Sequence, residues 1–456
     1  MRDMNQYTTH ARAGLLGTIA VLTALTTGCD VTNPGPIQDA FLADEEAQIG
    51  LIFGAQRSIA TQYASDAFDF SLVGREMFPG GQTGAWGAPV PIHAGHIQRD
   101  YDNGSFDNMH EARFIGETAI ARFTEAGASD LRMHQAHLWT AWAYRILGEW
   151  WCDTVLPSTD PSATEPPEWI PGTTDPYFDR AVSNFTAALG FASSAAERHA
   201  ALAGRAQAHL WLGNWGEAFA DAQQVTDEAS EDFAVLIEQS GGESALYNHL
   251  FESSSGVFRS YTVQFTFFHD YYADTGDPRT PWYIDPEFDV AVGSLTGYGQ
   301  VPYLPQGKFL SRDDDINIAS WAEMKLIQAE AILRGAGGGD IGDAMTLINE
   351  VRTRNVSDID ETPLDAYPAP ANAAEAWTFL MQERGIELWL EGRRFADERR
   401  WTALDTPGDL QLPQWENDMP AGSFTTLFTD FERGPLCFGI PNSERDRNPN
   451  VPQVSN

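Results

Sequence analysis

The chain has 456 residues and carries 28 Lys and Arg residues against 65 Asp and Glu residues, which gives a formal net charge of -37. This charge excludes a nucleic-acid-binding protein, because a face that neutralises phosphates must be basic and Lys308 and Lys325 are the only lysines. Intrinsic disorder is also excluded, since 43% of the residues are hydrophobic and 14 Trp, 26 Phe and 13 Tyr supply apolar surface to bury.

The amino terminus predicts export. Two arginines precede an uncharged apolar run, residues 13–27, which is too short to span a bilayer as a mature helix. Residues 1–28 are therefore predicted to be a signal peptide. The sequence Leu-Thr-Thr-Gly-Cys that ends at Cys29 resembles a lipobox, although its first threonine stands where leucine is usual, and it predicts that Cys29 is lipidated. An ordinary cleaved signal peptide with an incidental Cys29 is the alternative.

The other two cysteines are predicted to pair. If Cys29 carries lipid, Cys152 and Cys437 remain, and an exported compartment permits disulfides. Two unpaired thiols in an oxidising compartment would be a liability, so we predict a disulfide between them. Two separately buried free cysteines are the alternative.

Most of the folded part predicts amphipathic helices in pairs, because apolar residues recur at helical spacing and turn residues separate the stretches. In residues 200–225, small and large apolar residues alternate around a Gly-Asn turn, as in a tetratricopeptide-type helix hairpin. The predicted fold class is mainly α, with a tetratricopeptide-like helix-hairpin scaffold and a loop-rich, aromatic-rich irregular half. The predicted helices are 109–127, 131–151, 177–191, 195–212, 215–227, 319–334 and 341–354.

The predicted domain organisation follows from these patterns. Residues 29–40, which have prolines and a glycine but no periodicity, are predicted to form a lipidated tether, and residues 41–456 a single folded domain. The helical scaffold is predicted at about 41–67, 109–250 and 318–400. The irregular, loop-rich parts are predicted at about 68–108, 251–317 and 402–456.

The stretch ERGIELWLEGRRFADERRW, residues 383–401, has a dense charge pattern. On one helix Glu383, Glu387 and Glu391 lie at four-residue spacing on one face and repel one another unless they are paired. Such a row could bind a metal or supply the acid and base of a glycoside hydrolase. We favour a salt-bridged helix that locks this segment onto the scaffold, because arginine is abundant and no histidine joins the row. The residues of this helix are Glu383, Arg384, Glu387, Glu391, Arg394, Asp397 and Arg400, with further counter-charges from Arg352, Arg354, Arg393 and Arg399.

The same stretch resembles the signature of the SusD/RagB family of outer-membrane lipoproteins, in which Glu-Arg, Glu-Leu and Glu-Gly follow at this spacing before Arg, Asp and a closing Arg. Glu398 departs from the family, which usually has a hydrophobic residue there. Cys152 and Cys437 fall at two family landmarks, which supports the predicted bridge. Further landmarks occur in the family's order at 136–157, 277–279, 307–309, 322–331, 348–354 and 440–450.

The resemblance implies a lipid-anchored protein of the outer membrane, on the cell surface, that closes over a TonB-dependent transporter. Such proteins capture oligosaccharides, or in some branches peptides, and no catalysis or cofactor is expected of them. Two other hypotheses compete with this one: a tetratricopeptide-type scaffold that binds only proteins, and a secreted glycosidase with two carboxylates in a cleft.

Ligand-binding residues are predicted where aromatic and polar side chains alternate in the irregular parts, because a sugar offers an apolar ring face and hydroxyl edges. Ordinary packing beneath a loop is the alternative for each aromatic residue. Asp277 and Arg279 are interpreted as a loop-fixing ion pair, and residues 313–315, three aspartates, as a solvated acidic loop rather than a calcium site. No metal site is predicted, since no HExxH pattern accompanies the histidines. The predicted ligand-binding residues are Arg75, Gln82, Trp86, Asp270, Tyr271, Tyr272, Trp282 and Tyr283.

Overall fold

The structure is a computed structural model that describes residues 45–80, 92, 97, 103–157, 164–243, 246–287, 294–295, 299–410, 412 and 436–453. The chain divides into two units, residues 1–48 and 49–456. Of the first unit only residues 45–48 are described, and they begin a helix. The predicted signal peptide, the lipidated Cys29 and the tether lie outside the described residues and stay predictions.

The described elements are mostly helices. They are α1 Glu45–Val73, α2 Asn103–Glu125, α3 Leu131–Trp150, α4 Asp175–Phe191, α5 Ala195–Trp211, α6 Trp215–Glu228, α7 His249–Ser254, α8 Phe267–Thr275, α9 Trp321–Leu333, α10 Ile341–Thr353, α11 Ala373–Glu387, α12 Arg394–Ala403 and α13 Asn442–Arg447. The strands are β1 Phe78–Pro79, β2 Thr154–Leu156, β3 Glu168–Ile170, β4 Ala234–Ile237, β5 Tyr261–Thr262, β6 Ser294–Leu295, β7 Gly299–Gln300 and β8 Ile316–Ser320.

The helices form the predicted tetratricopeptide-like scaffold. From α2 to α6 each helix packs against the next, α6 packs against α9, and α9 packs against α10 and α11. Close approach depends on small residues: a Cβ at Gly148 would lie 2.6 Å from the ring of Phe178 on the following helix. The mainly α fold class is therefore confirmed.

Local capping residues define where the scaffold helices begin. The side chain of Asp130 accepts from Arg132 N at 3.1 Å at the start of α3, and Ser194 accepts from Glu197 N at 3.2 Å at the start of α5. These caps satisfy amides that have no partner within the helix. The capping box of Asp340 and Asp343 begins α10 in the same way.

The strands are short and lie in the segments between helices. The described strands pair antiparallel as β1–β5, β2–β3, β4–β8 and β6–β7. Because β8 leads directly into α9, its pairing with β4 fixes the entry of the chain into the buried helix α9.

Several predicted boundaries are wrong. Helix α1 continues to Val73, and α2 begins at Asn103, so the segment predicted as irregular at 68–108 is shorter. Residues 66–73 are all buried, Asp66, Asp69 and Ser71 included, so polar and apolar residues do not separate onto two faces of the helix there. The predicted irregular part 251–317 contains α8, β5 and the start of β8.

The stretch 383–401 is not one helix, as predicted, but the end of α11 and most of α12, with a turn between them. In this turn Leu390 and Gly392 have left-handed backbone angles, with φ of 61° and 71°. A Cβ at Gly392 would lie 3.0 Å from Cα of Ala67 on α1, so glycine allows both the backbone angle and the close approach. Glu391 therefore leaves the helical row that contains Glu383 and Glu387.

Cys152 and Cys437, the pair predicted from the sequence, are joined by a disulfide with a Cα–Cα distance of 5.2 Å. Backbone hydrogen bonds support the same junction: Cys152 N donates to Phe438 O at 2.9 Å, and Phe438 N donates to Trp150 O at 2.7 Å. The disulfide thus ties the carboxy-terminal segment to the end of α3.

We expect the Cys152→Ser/Cys437→Ser variant to lose about 2–4 kcal/mol of unfolding free energy, because the disulfide restricts a long loop in the unfolded chain. Urea unfolding at neutral pH measures the loss. Dithiothreitol should destabilise the wild-type protein by a similar amount and leave the variant unchanged. Equal unfolding free energies of wild type and variant in the absence of dithiothreitol would contradict the prediction.

Candidate functional site

Cations from the irregular half bind the carboxylates of the 383–401 stretch. Arg279 Nη1 lies 2.6 Å from Glu383 Oε1 and 3.0 Å from Glu387 Oε2, while its Nη2 lies 2.7 Å from Asp277 Oδ2. Lys308 Nζ lies 2.8 Å from Glu391 Oε1 and donates to Trp389 O at 2.7 Å. The two short loops that carry Arg279 and Lys308 are thereby attached to α11 and to the turn that follows it.

The opposite side of the same stretch binds the scaffold through buried ion pairs. Arg384 Nη2 lies 3.0 Å from Glu323 Oε1 on α9, and its Nε lies 2.6 Å from Asp397 Oδ2. Arg400 Nη2 lies 2.9 Å from Glu330 Oε2 and 3.1 Å from Asp397 Oδ1. These arginines therefore join α11 and α12 to α9.

Three of the arginines that were predicted to neutralise this stretch donate hydrogen bonds to backbone carbonyl oxygens. Arg394 donates to Leu410 O at 2.6 Å and lies over the ring of Phe268, 5.1 Å from its centroid. Arg354 donates to the carbonyl oxygen of Glu231, and Arg399 donates to the carbonyl oxygen of Trp151. The remaining ones, Arg352 and Arg393, contact Glu383 and Glu323 respectively.

Burial and the arginines oppose each other in setting the pKa values of these carboxylates. Burial raises the pKa of Glu383, and Arg279 and Arg352 only partly offset it. Burial also acts to raise the pKa of Asp397, but Arg384, Arg400 and Arg393 hold it below its ordinary range. Arginines therefore hold the side chains of both carboxylates in the folded protein.

A group of aromatic side chains lies on α8 and in the loop that follows it. Arg279 attaches this loop to α11. The ring of Trp282 stacks on His269, with centroids 5.1 Å apart, and meets Tyr272 edge-on at 5.8 Å. Trp282 Nε1 donates to His269 O at 3.1 Å, which holds the indole in place. All three side chains are half-buried.

Two exposed carboxylates flank these rings. Asp270 Oδ1 lies 2.7 Å from His269 Nδ1, and the Asp270 side chain is 84% exposed. Asp358 is exposed and accepts a hydrogen bond from the hydroxyl of Tyr272 at 3.2 Å. We call the set His269, Asp270, Tyr272, Trp282 and Asp358 the aromatic surface. It offers ring faces for apolar contact and carboxylate oxygens that accept hydrogen bonds from hydroxyl groups.

Two of the predicted ligand-binding residues, Tyr271 and Arg75, contact other parts of the fold rather than the aromatic surface. The hydroxyl of Tyr271 donates to Asp277 Oδ2 at 2.6 Å and accepts from Arg352 Nη1 at 2.8 Å, so it belongs to the Arg279 ion-pair group. Arg75 is only 3% exposed, because the turn after α1 is buried. Tyr283 is half-buried near Ser255 and Asp285, and Gln82 and Trp86 lie outside the described residues.

Sequence reasoning missed His269 and Asp358. The stacking of His269 on Trp282 has no signal in the sequence, because 13 positions separate the two residues. Asp358 comes from the loop after α10, 86 positions from Tyr272, and reaches the rings because Asp358 N donates to Gly276 O at 2.7 Å.

No group of three or more His, Cys, Asp or Glu residues in the described ranges is arranged to hold a metal ion. The three aspartates predicted as a solvated acidic loop accept hydrogen bonds from backbone amides. Asp313 accepts from Gly241 N and Asp315 from Gln239 N, each at 2.8 Å, and Asp314 accepts from Ser311 N at 3.0 Å. Their role is therefore to fix loops.

Comparisons with known proteins agree with the resemblance noted in the sequence. Residues 317–456 match the family model described as the SusD family. The fold resembles a SusD homolog from Bacteroides thetaiotaomicron, with a TM-score of 0.66 and 15% identity over 89% of this chain and 96% of that one. It also resembles surface glycan-binding protein A from Bacteroides uniformis (TM-score 0.62, 14% identity, 90% and 99% covered) and a laminarin-binding SusD-like protein (0.58, 14%, 89% and 98%). No curated protein sequence matches significantly.

We expect Arg279→Met to lower the unfolding free energy by about 3–5 kcal/mol, because it leaves the buried Glu383 without its closest cation. Urea unfolding measures the loss. Adding Glu383→Gln to the variant should restore part of it. Arg198→Met, which breaks the exposed pair of Arg198 with Glu228, is the matched control and should lose far less. Equal losses in the two variants would contradict the prediction.

The stability of the protein is predicted to depend on pH through Glu76, which contacts the turn before α12. Its Oε1 accepts from Leu390 N at 3.0 Å, and burial raises its pKa from 4.5 to about 8. The folded protein therefore binds the proton more tightly than the unfolded chain, and Glu76 makes the protein less stable as pH rises from about 4.5 to about 8.

Glu76→Gln, which has no carboxyl to ionise, should remove that decline. Its stability relative to wild type should increase by about 1.4 kcal/mol per pH unit within this window and level off above about pH 8. Urea unfolding of both proteins between pH 5 and 9 measures the difference. A difference that does not change with pH would refute the role of Glu76.

Proposed function

We propose that this chain, whose residues 317–456 match the SusD family, is a cell-surface lipoprotein that captures oligosaccharides, with peptides as the second class of cargo. In this proposal Cys29 carries the lipid anchor and the protein delivers its cargo to a TonB-dependent transporter of the outer membrane. In the part of the chain that the structure describes, no helix is long and apolar enough to cross a membrane.

The observation that carries the proposal is the aromatic surface. A sugar ring has an apolar face that packs against Trp282 or Tyr272 and hydroxyl edges that donate to Asp270 and Asp358. Similar folds occur in a laminarin-binding SusD-like protein and in a surface glycan-binding protein, which supports carbohydrate as the ligand class.

Charge narrows the ligand class further. The aromatic surface has two exposed carboxylates, and the whole chain has a net charge of -37. Uronate-rich or sulfated polysaccharides would be repelled from such a surface, whereas neutral glycans and basic peptides would not. We therefore propose neutral oligosaccharides as the preferred cargo.

The ion pairs of the 383–401 stretch support binding without catalysis. Glu383, Glu387 and Glu391 each contact a cation within 3.0 Å. A glycosidase needs one carboxyl that is free to give its proton and a second that faces the sugar. Attachment of the irregular half to the scaffold is the role that we propose for these carboxylates.

Calorimetric titration of the mature chain against neutral oligosaccharides, uronate oligosaccharides and short peptides tests the proposal. We expect saturable heat with a neutral glycan, and a loss of about tenfold or more in affinity for Trp282→Ala and for Tyr272→Ala, because each removes a stacking ring. Trp215→Ala, which removes a half-buried tryptophan from the scaffold, is the matched control and should bind as wild type does.

Circular dichroism and thermal melting of each variant establish that it is folded. If folded Trp282→Ala and Tyr272→Ala bind as tightly as wild type, the aromatic surface is not the site. Silence of the wild-type protein across the whole panel would instead favour the protein-binding scaffold without a small-molecule ligand.

A further inference from the structure

The carboxyl group of Glu76 lies in the turn after α1 and contacts the turn before α12. Glu76 is fully buried, and its Oε1 accepts from Leu390 N at 3.0 Å, while its Oε2 has no hydrogen-bond partner among the described residues. Leu390 has a left-handed backbone angle, which is unfavourable for a residue with a side chain, so the contact with Glu76 stabilises a strained turn. The charged groups that face Glu76 are Glu391 of this turn, Lys308 of the loop between β7 and β8, and Arg394 of α12.

Lys308 bonds the residues on either side of Leu390. Its Nζ donates to Trp389 O at 2.7 Å and lies 2.8 Å from Glu391 Oε1. While Glu76 is neutral, the ammonium group pairs with Glu391 alone. An ionised Glu76 would repel Glu391 and compete with it for this single cation, because unlike charges attract strongly in a buried site.

The loop that carries Lys308 also holds Trp282 of the aromatic surface. Gly307, the residue before Lys308, donates its backbone N–H to Pro281 O at 2.7 Å, directly beside Trp282. An antiparallel bridge pairs Trp282 with Gln306. A displacement of Lys308 therefore reaches the segment that positions the indole ring.

Arg394 is the second cation that faces Glu76. It donates to Leu410 O at 2.6 Å, and its guanidinium lies over the ring of Phe268, 5.1 Å from the centroid. Phe268 is on α8, directly before His269 of the aromatic surface. Both cations that an ionised Glu76 would attract thus contact segments that carry the aromatic surface.

From this arrangement we propose that Glu76 is a pH-dependent switch of the aromatic surface. With a neutral Glu76, Lys308 and Arg394 keep their contacts and the surface is assembled. With an ionised Glu76 the two cations are drawn toward the new buried charge, the turn before α12 loosens, and Trp282 loses its fixed position. The consequence for ligands rests on the proposed function, to which it adds regulation: capture near neutral pH and weaker binding at alkaline pH.

The pH window follows from burial, which raises the pKa of Glu76 to about 8. The carboxyl is therefore mostly neutral at pH 7 and mostly ionised at pH 9. If only the protein with a neutral Glu76 binds, its apparent affinity for a neutral oligosaccharide falls by about tenfold between these two pH values.

Fluorine NMR of the full mature chain labelled with 5-fluorotryptophan tests the switch without a ligand. The Trp282 resonance is assigned by its loss in Trp282→Phe. We expect it to shift or broaden between pH 7 and pH 9 with a midpoint near pH 8. Glu76→Gln has no carboxyl to ionise and should keep its pH 7 spectrum throughout.

Two controls separate the switch from general effects of pH. Glu444→Gln removes another carboxyl whose pKa burial raises, but on α13, and it should leave the response of Trp282 as in wild type. The resonance of Trp215, at the start of scaffold helix α6, should not change in any of these proteins. A change of Trp215 with the same midpoint would show general unfolding and overturn the switch.

Calorimetric titration with maltohexaose, cellohexaose and laminarihexaose at pH 7 and pH 9 tests the consequence for binding. We expect wild type and Glu76→Gln to bind one of these neutral hexasaccharides equally at pH 7, and wild type to bind it about tenfold more weakly than Glu76→Gln at pH 9. Other groups that titrate in this range affect both proteins alike, so the ratio of the two affinities reports Glu76.

A Trp282 resonance that does not respond to pH, or that responds equally in Glu76→Gln, would overturn the switch and leave the capture proposal intact. An equal change of affinity in both proteins would do the same. A response of Trp282 that requires Glu76, together with silence toward every hexasaccharide, would support the switch and count against the proposed capture of oligosaccharides. The two proposals can therefore be rejected independently.

Discussion

The structure depends on a group of arginines and carboxylates buried between the scaffold and the 383–401 stretch. Arg393 Nη2 lies 2.9 Å from Glu323 Oε1 and 3.4 Å from Glu149 Oε1, and Glu149 in turn pairs with Arg145 at 2.9 Å. Each charge is costly to remove from water, and only several well-placed partners offset that cost. These buried charges are therefore neutralised only when α3, α9 and α12 pack in their native positions. A misplaced helix would leave at least one of them buried without a partner.

A second set of ion pairs connects this buried centre to the irregular half. Arg279 and Lys308 come from loops with little regular structure, yet both reach carboxylates of the 383–401 stretch. The loop that carries Trp282 is therefore positioned by α11 rather than by its own hydrogen bonds alone. A surface held in this way loses less conformational entropy on binding, which favours the capture of a ligand that we propose for the aromatic surface.

The scaffold was predictable from the sequence where local signals coincide. Helices α3 and α5 end within one residue of the predicted bounds, because a capping side chain begins each helix and the apolar spacing continues to its end. The end of α1 was not predictable, since it is buried on all sides and its polar residues do not mark an exposed face. Asp270, Tyr272 and Trp282 were predicted as ligand-binding residues, and the structure places all three in the aromatic surface, where their role stays a proposal. Tyr271 was predicted to bind the ligand from the alternation of aromatic and polar residues in its segment, and the sequence does not reveal its hydrogen bond with Arg352.

The sequence by itself determined the properties that depend on near neighbours: the helix pairs and the charge pattern of residues 383–401, which lies within the part of the chain that matches the SusD family. The tertiary structure decided which cation neutralises each carboxylate, where the helix breaks and which rings face solvent. The reason is separation along the chain. Arg279 and Glu383 are 104 positions apart, and Glu76 and Leu390 are 314 positions apart. Contacts at such distances arise only when the elements pack, and no helical period or capping signal encodes them.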